Sequence, residues 1–210
     1  MLNNPVNEDL KEVYFPSKKP FVTKLFKDRL KAAIKFAGIK DDSEILDVGC
    51  AHGYLLIMIQ KFHSSSKCHG IETTPDWKNR SAEKLLENCD LRVGDARKMP
   101  FADESFDIVF ATDVLEHIPD YDIAINEIRR VLKTDGIAIL SGPTETTFYK
   151  FCRLLYTGKW KLPSHKHAVY EIEDTFELSR FQLVDRVSLP GFPFPELFRM
   201  SKHRKISKGL

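Results

Sequence analysis

Between Ile45 and Leu55 an apolar run enters, an acid and two glycines interrupt it, and a second apolar run leaves. The order Ile45-Leu46-Asp47-Val48-Gly49-Cys50-Ala51-His52-Gly53-Tyr54-Leu55 reads as a buried strand, a tight turn and a helix. Glycines at such a turn let a ligand approach bare backbone at the mouth of a parallel sheet. The rest of the chain is constrained by that junction, because a buried parallel strand needs parallel neighbours and helices over both faces.

The neighbours are present. Short apolar stretches at Cys68–Glu72, Leu91–Val93, Asp107–Ala111 and Ile137–Leu140 read as further strands. Helical patterns fall at Tyr54–Phe62, Pro75–Asn88 and Pro119–Leu132, the last with Ile123, Ala124, Ile128, Val131 and Leu132 on one face. An amphipathic helix over Pro20–Ala37 precedes them, stopped by Gly38. After residue 142 the style changes. Thr144–Trp160 is helical and aromatic, Gly158–Ala168 is a basic loop, and Ile172–Leu178 reads as one more helix. Phe181–Leu189 and Leu197–Ser201 read as two strands with no long helix between them, so they pair antiparallel. The expected fold is α/β: a Rossmann-like, doubly wound, mostly parallel seven-stranded sheet with an antiparallel C-terminal edge strand and helices on both faces. Along it we expect an N-terminal arm and helix (1–40), a ligand-binding core (41–142), a substrate-side helix and lid (143–180), and C-terminal strands with a basic tail (181–210), forming one globular domain.

A length of 210 residues suits such a domain, and a net charge of +2 gives no general argument for nucleic acid. Four scattered cysteines, none in C-x-x-C spacing, suit a reducing cytoplasmic setting and point to no metal site. No apolar h-region follows Met1, and no run is long enough to span a membrane.

Two ligand classes use a glycine turn after the first strand. A dinucleotide site wants G-x-G-x-x-G, but Tyr54 stands where the last, packing glycine belongs. Asp47 puts negative charge where a pyrophosphate would be disfavoured and an ammonium group welcomed. This speaks against a nicotinamide oxidoreductase.

Asp47-Val48-Gly49-Cys50-Ala51-His52-Gly53 resembles the first motif of class I S-adenosylmethionine-dependent methyltransferases, with Ala51 where glycine is usual. Gly70-Ile71-Glu72, Gly94-Asp95-Ala96, Met99-Pro100-Phe101 through Asp107-Ile108-Val109, Val114-Leu115-Glu116-His117-Ile118, and Arg129-Arg130-Val131-Leu132 through Asp135-Gly136 resemble its later segments in order. The likeness covers about residues 40–142 and is that of a small-molecule enzyme of the "methyltransferase 11-like" type. It implies S-adenosylmethionine as methyl donor and S-adenosylhomocysteine as product. It implies Glu72 on the ribose hydroxyls, with Thr73 beside it, and Asp95 and the Ala96 N–H on the adenine. Asp47 with the backbone of Gly49, Cys50, Ala51 and Gly53 would face the methionine moiety, and Thr112 and Asp113 would lie beside the methyl group. A carboxylate accepting from two vicinal hydroxyls, or from an exocyclic amine, is sound chemistry.

The sulfonium is already activated, so transfer needs alignment and, for a protonated acceptor, a base. Candidates are His117, His165, His167 and Tyr170, with the 165–170 loop placed first. The signatures of arginine, amino-directed nucleic-acid and cytosine C5 methyltransferases are missing, so no DNA partner is expected. The acceptor is expected to be a small molecule or an amphiphile, lipid-like or glycan, methylated on O, N or C. The aromatic, basic stretch 147–160 reads as core packing, a substrate lid, or a peripheral membrane contact. The basic tail from Arg199 to Lys208 reads as a solvated tail, dispensable from 202 onward, or as an RNA contact. A non-catalytic donor-binding or scaffold protein on the same fold is the competing class.

Overall fold

The computed structural model describes residues 20–75, 86–157, 165–190 and 195–207. The expected arm at 1–19, nearly all of the helix at 75–88 and most of the basic loop at 158–168 lie outside the described residues.

In chain order the elements are α1 (Pro20–Ala37), β1 (Glu44–Val48), α2 (Tyr54–Phe62), β2 (Lys67–Glu72), β3 (Cys89–Val93), β4 (Phe106–Thr112), a single 3₁₀ turn (Leu115–His117), α3 (Tyr121–Val131), β5 (Leu132–Pro143), α4 (Thr147–Thr157), α5 (Val169–Leu178), β6 (Phe181–Leu189) and β7 (Phe198–Lys205). They build one seven-stranded sheet in the order β3-β2-β1-β4-β5-β7-β6. The first five of these strands are parallel, and β7 runs antiparallel between β5 and the outer strand β6.

Alternation along the strands sorts their side chains onto two faces. Ile45, Ile108, Phe110, Ile139 and Met200 share one core with α1 and α2. Leu46, Val48, Val109, Ala111, Ala138 and Leu140 share the other with α3 and α5. This is why the strands read as unbroken apolar runs: both faces are covered. On α3 the buried face is Ala124, Ile125, Ile128 and Val131. Ile123, expected on that face, is 46% exposed, because the helix is rotated to bury Ile125 instead. The sequence changes direction of winding at β1, whose neighbours are β2 and β4. A crevice opens there at the carboxyl ends of the strands.

The basic C-terminal segment is a correction. It is neither a tail nor a solvated face, since Phe198–Lys205 is β7, paired on both sides. Its cations have internal work. Lys202 Nζ donates to the carbonyls of Phe36 and Ala37 at 3.2 and 3.1 Å, closing the C-terminal end of α1. Lys205 Nζ donates to Leu132 O at 2.6 Å and to Glu104 at 3.2 Å. Arg199 pairs with Glu173 and Glu196. Removal of residues 202–210 would therefore take strand residues out of the sheet. Of the cations that an RNA contact would use, Arg204 is exposed and Lys208 lies outside the described residues.

Candidate functional site

β1 delivers the glycine turn to the crevice. Gly49 N and Cys50 N both donate to Ile71 O, at 2.8 and 3.1 Å, which ties the turn to β2. Gly49 has φ +74, and a Cβ there would stand 2.4 Å from Val114 Cγ2. Ala51, at the position where glycine is usual, adopts φ 44, so the turn accepts alanine with a left-handed backbone. Gly49→Ala combines a disfavoured backbone with a clash, and should weaken S-adenosylhomocysteine binding by more than about tenfold in calorimetry.

The cavity that follows has a volume of about 480 Å³. Such a volume suits a nucleoside-sized ligand. Of the residues singled out for the donor, Gly49, Ala51, Glu72, Thr73, Asp95, Ala96 and Asp113 line it. Asp47, Cys50, Gly53 and Thr112 do not. Asp47 is buried behind the turn, and its Oδ1 has no hydrogen-bond partner. Burial and then the Glu72 charge raise its carboxyl well above the usual range. Cys50 packs beneath the turn, where burial pushes its thiol up and out of reactive range. Gly53 holds the start of α2 and donates to Cys50 O at 2.7 Å.

Glu72 is preset. Oε1 accepts from Thr73 N and Thr73 Oγ1 at 2.7 and 2.8 Å, and Oε2 accepts from Ala51 N at 3.1 Å. Asp95 accepts from Arg97 through N and Nε, at 2.8 and 3.1 Å to Oδ1, and Arg97 Nη1 reaches Asp120 at 3.0 Å. Arg97 holds the Asp95 carboxyl below its ordinary range. Arg97 also lines the cavity, and was not foreseen.

Asp113 and His117 also line the cavity. Asp113 has φ 56 and pairs with Arg29 Nη2, which comes from α1. Arg29 also donates to Ser141 Oγ at 3.3 Å and lies over the Phe198 ring at 3.6 Å. Arg29 carried no signal in the sequence: it is a lone cation on an amphipathic helix, and only the packing of α1 against β5 and β7 brings it here. His117 and His165 meet with ring centroids 5.0 Å apart. His165 Nδ1 lies 2.8 Å from Glu145 Oε1, and Arg153 Nη1 holds that same oxygen at 2.6 Å. Glu116 lies beside them, only 2% exposed, with its carboxyl pushed up to about 8 by burial and by the Asp113 charge. The other two catalytic candidates point elsewhere. His167 stacks edge-on against Tyr121 at 4.6 Å and faces Glu171. The Tyr170 hydroxyl donates to Glu196 at 2.8 Å under Arg199, and burial raises its pKa, so it is a poor base.

The donor fits what is here. A partnerless buried carboxylate oxygen at Asp47 suits an ammonium, Gly49 and Gly53 leave no room for a Cβ, and an acid sits at each of the next two strand ends. Fold and site together define a class I S-adenosylmethionine-dependent methyltransferase domain, with S-adenosylmethionine as its cofactor. Residues 46–140 match the family model described as "Methyltransferase domain". A demethylmenaquinone methyltransferase of Staphylococcus aureus is 33% identical over 132 residues, which are 60% of this chain and 55% of that protein. An uncharacterized methyltransferase of Schizosaccharomyces pombe is 32% identical over 108 residues, 47% of this chain and 39% of that one. The chain thus spans about half the length of the curated relatives it matches, or less. Among solved structures, a methyltransferase of Haloferax volcanii in complex with the Trm112 methyltransferase activator superimposes with a TM-score of 0.71 at 16% identity, over 89% of this chain and 94% of that one. At that identity the likeness is one of fold.

Proposed function

We propose that the chain is an S-adenosylmethionine-dependent methyltransferase that transfers the methyl group to an oxygen of a small amphiphilic acceptor. The observation that carries this reading is that one cavity is lined both by Glu72 and Asp95, which would hold the nucleoside, and by Asp113 and His117, beside which a second set of polar groups stands. S-adenosylmethionine supplies an activated methyl group. Asp47 would take the ammonium and Glu72 the ribose.

This second set suits a hydroxyl acceptor. His165, oriented by Glu145, presents a basic nitrogen next to His117, and buried Glu116 completes a proton-accepting corner. An amphiphile is favoured by α4, which turns Arg153 inward and leaves Phe148, Phe151 and Leu155 exposed at 44, 49 and 72%. On the same helix Tyr149 packs edge-on against Phe198, with ring centroids 5.5 Å apart. The 33% identical relative is named a demethylmenaquinone methyltransferase, which supports a small-molecule acceptor. A peripheral membrane contact through the same face would deliver such a substrate. No helix among the described residues is long and apolar enough to cross a membrane. Four unbridged thiols agree with a cytoplasmic site of action.

Calorimetry with S-adenosylhomocysteine and with nicotinamide dinucleotides tests the donor; binding of a dinucleotide alone would overturn it. Release of S-adenosylhomocysteine in the presence of a panel of prenylated phenols and hydroxylated lipids tests the acceptor, and no turnover with any of them would favour the non-catalytic class. His165→Ala should lower turnover by about 10²- to 10⁴-fold while donor affinity stays within about threefold. His167→Ala, whose ring stacks on Tyr121, should leave turnover nearly unchanged.

A further inference from the structure

Glu116, His117 and His165 each offer one ligating atom, and these atoms all lie within 4.8 Å of one another. Among the described residues no other group of this kind occurs. The spacing is close to what an ion demands: ligands about 2.1 Å from a metal stand roughly 3–4 Å apart, so small side-chain rotations close the set. The composition is two imidazoles and one carboxylate. That mixture suits a divalent first-row transition ion, and leaves further coordination positions for an exogenous oxygen.

Two independent features support a cation at this place. The first is the state of His165. Its Nδ1 is committed to the Glu145 carboxylate at 2.8 Å, which fixes the proton on Nδ1 and leaves Nε2 with a lone pair. Arg153 in turn holds Glu145. A carboxylate behind a histidine is the outer arrangement that orients metal-ligating imidazoles. The second is charge. Three carboxylates, Asp113, Glu116 and Glu145, converge here. Arg29 pairs with Asp113 and Arg153 with Glu145. Among the described residues Glu116 has no ion-pair partner, although it is 2% exposed. A buried carboxylate is costly unless it is neutralised by a proton, a cation or a metal.

We propose that Glu116, His117 and His165 form a binding site for one divalent transition-metal ion, which positions the acceptor hydroxyl for methyl transfer. The cysteine pattern gave no reason to expect it, because none of the ligands is a thiolate. The role in transfer rests on the methyltransferase reading above; the ion-binding site does not. With the ion bound, His165 Nε2 is a ligand and no longer the base; the acceptor oxygen is coordinated and its proton leaves to water. An oxygen lone pair then forms the O–CH₃ bond while the S–CH₃ bond breaks, its electron pair going to sulfur. The products are a methyl ether, neutral S-adenosylhomocysteine and one released proton.

The test uses the full chain, stripped with chelator and dialysed, titrated in a calorimeter with Zn²⁺, Mn²⁺ and Mg²⁺, and separately with S-adenosylhomocysteine. One equivalent of Zn²⁺ or Mn²⁺ should bind tightly, and Mg²⁺ should bind at least about a hundredfold more weakly. Glu116→Gln and His165→Ala should each lose about a hundredfold or more in ion affinity, and Glu145→Gln about ten- to a hundredfold. All three should keep S-adenosylhomocysteine affinity within about threefold, which also certifies that they fold. The site is refuted if the wild-type chain takes up no stoichiometric ion, if Mg²⁺ is preferred, or if the ligand variants bind the ion like the wild type. Ion binding without S-adenosylhomocysteine binding would refute the donor reading and leave the metal site standing. Donor binding without ion binding would do the reverse.

Discussion

Glu72→Ala should weaken S-adenosylhomocysteine binding by about a thousandfold, the largest loss we expect from any single substitution on the donor side. The carboxylate receives three protein hydrogen bonds, from Ala51 N, Thr73 N and Thr73 Oγ1. Those bonds fix its plane before any ligand arrives, so little ordering is left to be done on binding. Oε2 keeps one open acceptor site, and rotation of the Thr73 hydroxyl away from Oε1 would open a second, one for each ribose hydroxyl. Two charge-assisted bonds at about 1.5–3 kcal/mol each correspond to roughly 10²–10⁴ in affinity. The alanine variant also removes the acceptor for Ala51 N, in a residue whose backbone is already left-handed. The glycine turn should therefore loosen as well, and thermal stability should fall. Glu72→Gln separates the two effects. It keeps the size of the side chain and loses the charge, so affinity should fall by only about tenfold. Its unliganded stability should hold or rise, because the Glu72 charge is one of the two causes that strain buried Asp47. If Glu72→Gln lost stability without losing donor affinity, Glu72 would be a fold residue and not a ribose ligand.

The donor half of this molecule was legible because its constraints are local. A turn that must admit a ligand needs Gly49, and an acid at a strand end follows β2 and β3 within a few residues. Asp47, Cys50, Gly53 and Thr112 were expected around the donor but do not line the cavity. Asp47 is buried behind the turn and Cys50 packs beneath it, while Gly53 starts α2 and Thr112 ends β4. The acceptor half was hard to read because it is assembled from distant segments. Arg29, Asp113, Glu145, Arg153 and His165 come from four separate stretches and meet only through the packing of α1 and α4 against the sheet. His117 was visible, yet Glu116 beside it was given no role of its own within the segment Val114–Ile118, since nothing local says that it is buried. The C-terminal strand, read as ending at Ser201, runs on to Lys205, and its last residues were hidden for a different reason. Arg199, Lys202, Arg204 and Lys205 carry no alternation of hydrophobicity, and a basic run is usually solvated. Here buried carbonyls and carboxylates, including the open C-terminal end of α1, satisfy Lys202, Lys205 and Arg199. A strand bordered by β5 and β6 can hold cations only when such acceptors line up, and sequence alone does not show them.

That same strand sets the expected response to acid. His203 is fully buried in β7, stacked on Phe176 at 4.8 Å, with Nε2 2.8 Å from Ser201 Oγ. Its Nδ1 has no hydrogen-bond partner. Burial, and secondarily the Arg186 charge, lower its pKa from 6.5 to about 4. A depressed histidine stabilises the fold only while neutral. Above pH 6.5 neither state binds the proton and the contribution is complete; between 6.5 and 4 the unfolded chain takes up a proton that the fold refuses, and stability is lost as pH falls. At about 1.4 kcal/mol per pH unit the loss amounts to about 3 kcal/mol, a large share of a domain's net stability. Urea unfolding at pH steps across this window should show it as a fall in the midpoint. His203→Gln keeps a partner for Ser201 and cannot be protonated, so its midpoints should decline less steeply, and the difference between the two curves should span the same window. Parallel curves for wild type and variant would mean that the buried ring titrates normally and that acid sensitivity arises elsewhere. Because β7 joins β6 to the parallel sheet, the acid-weakened contact is the one that also carries Lys202 to the end of α1 and, through α1, Arg29 to Asp113. Donor affinity of the wild type should thus weaken in the same pH range, before global unfolding, and that of His203→Gln should not.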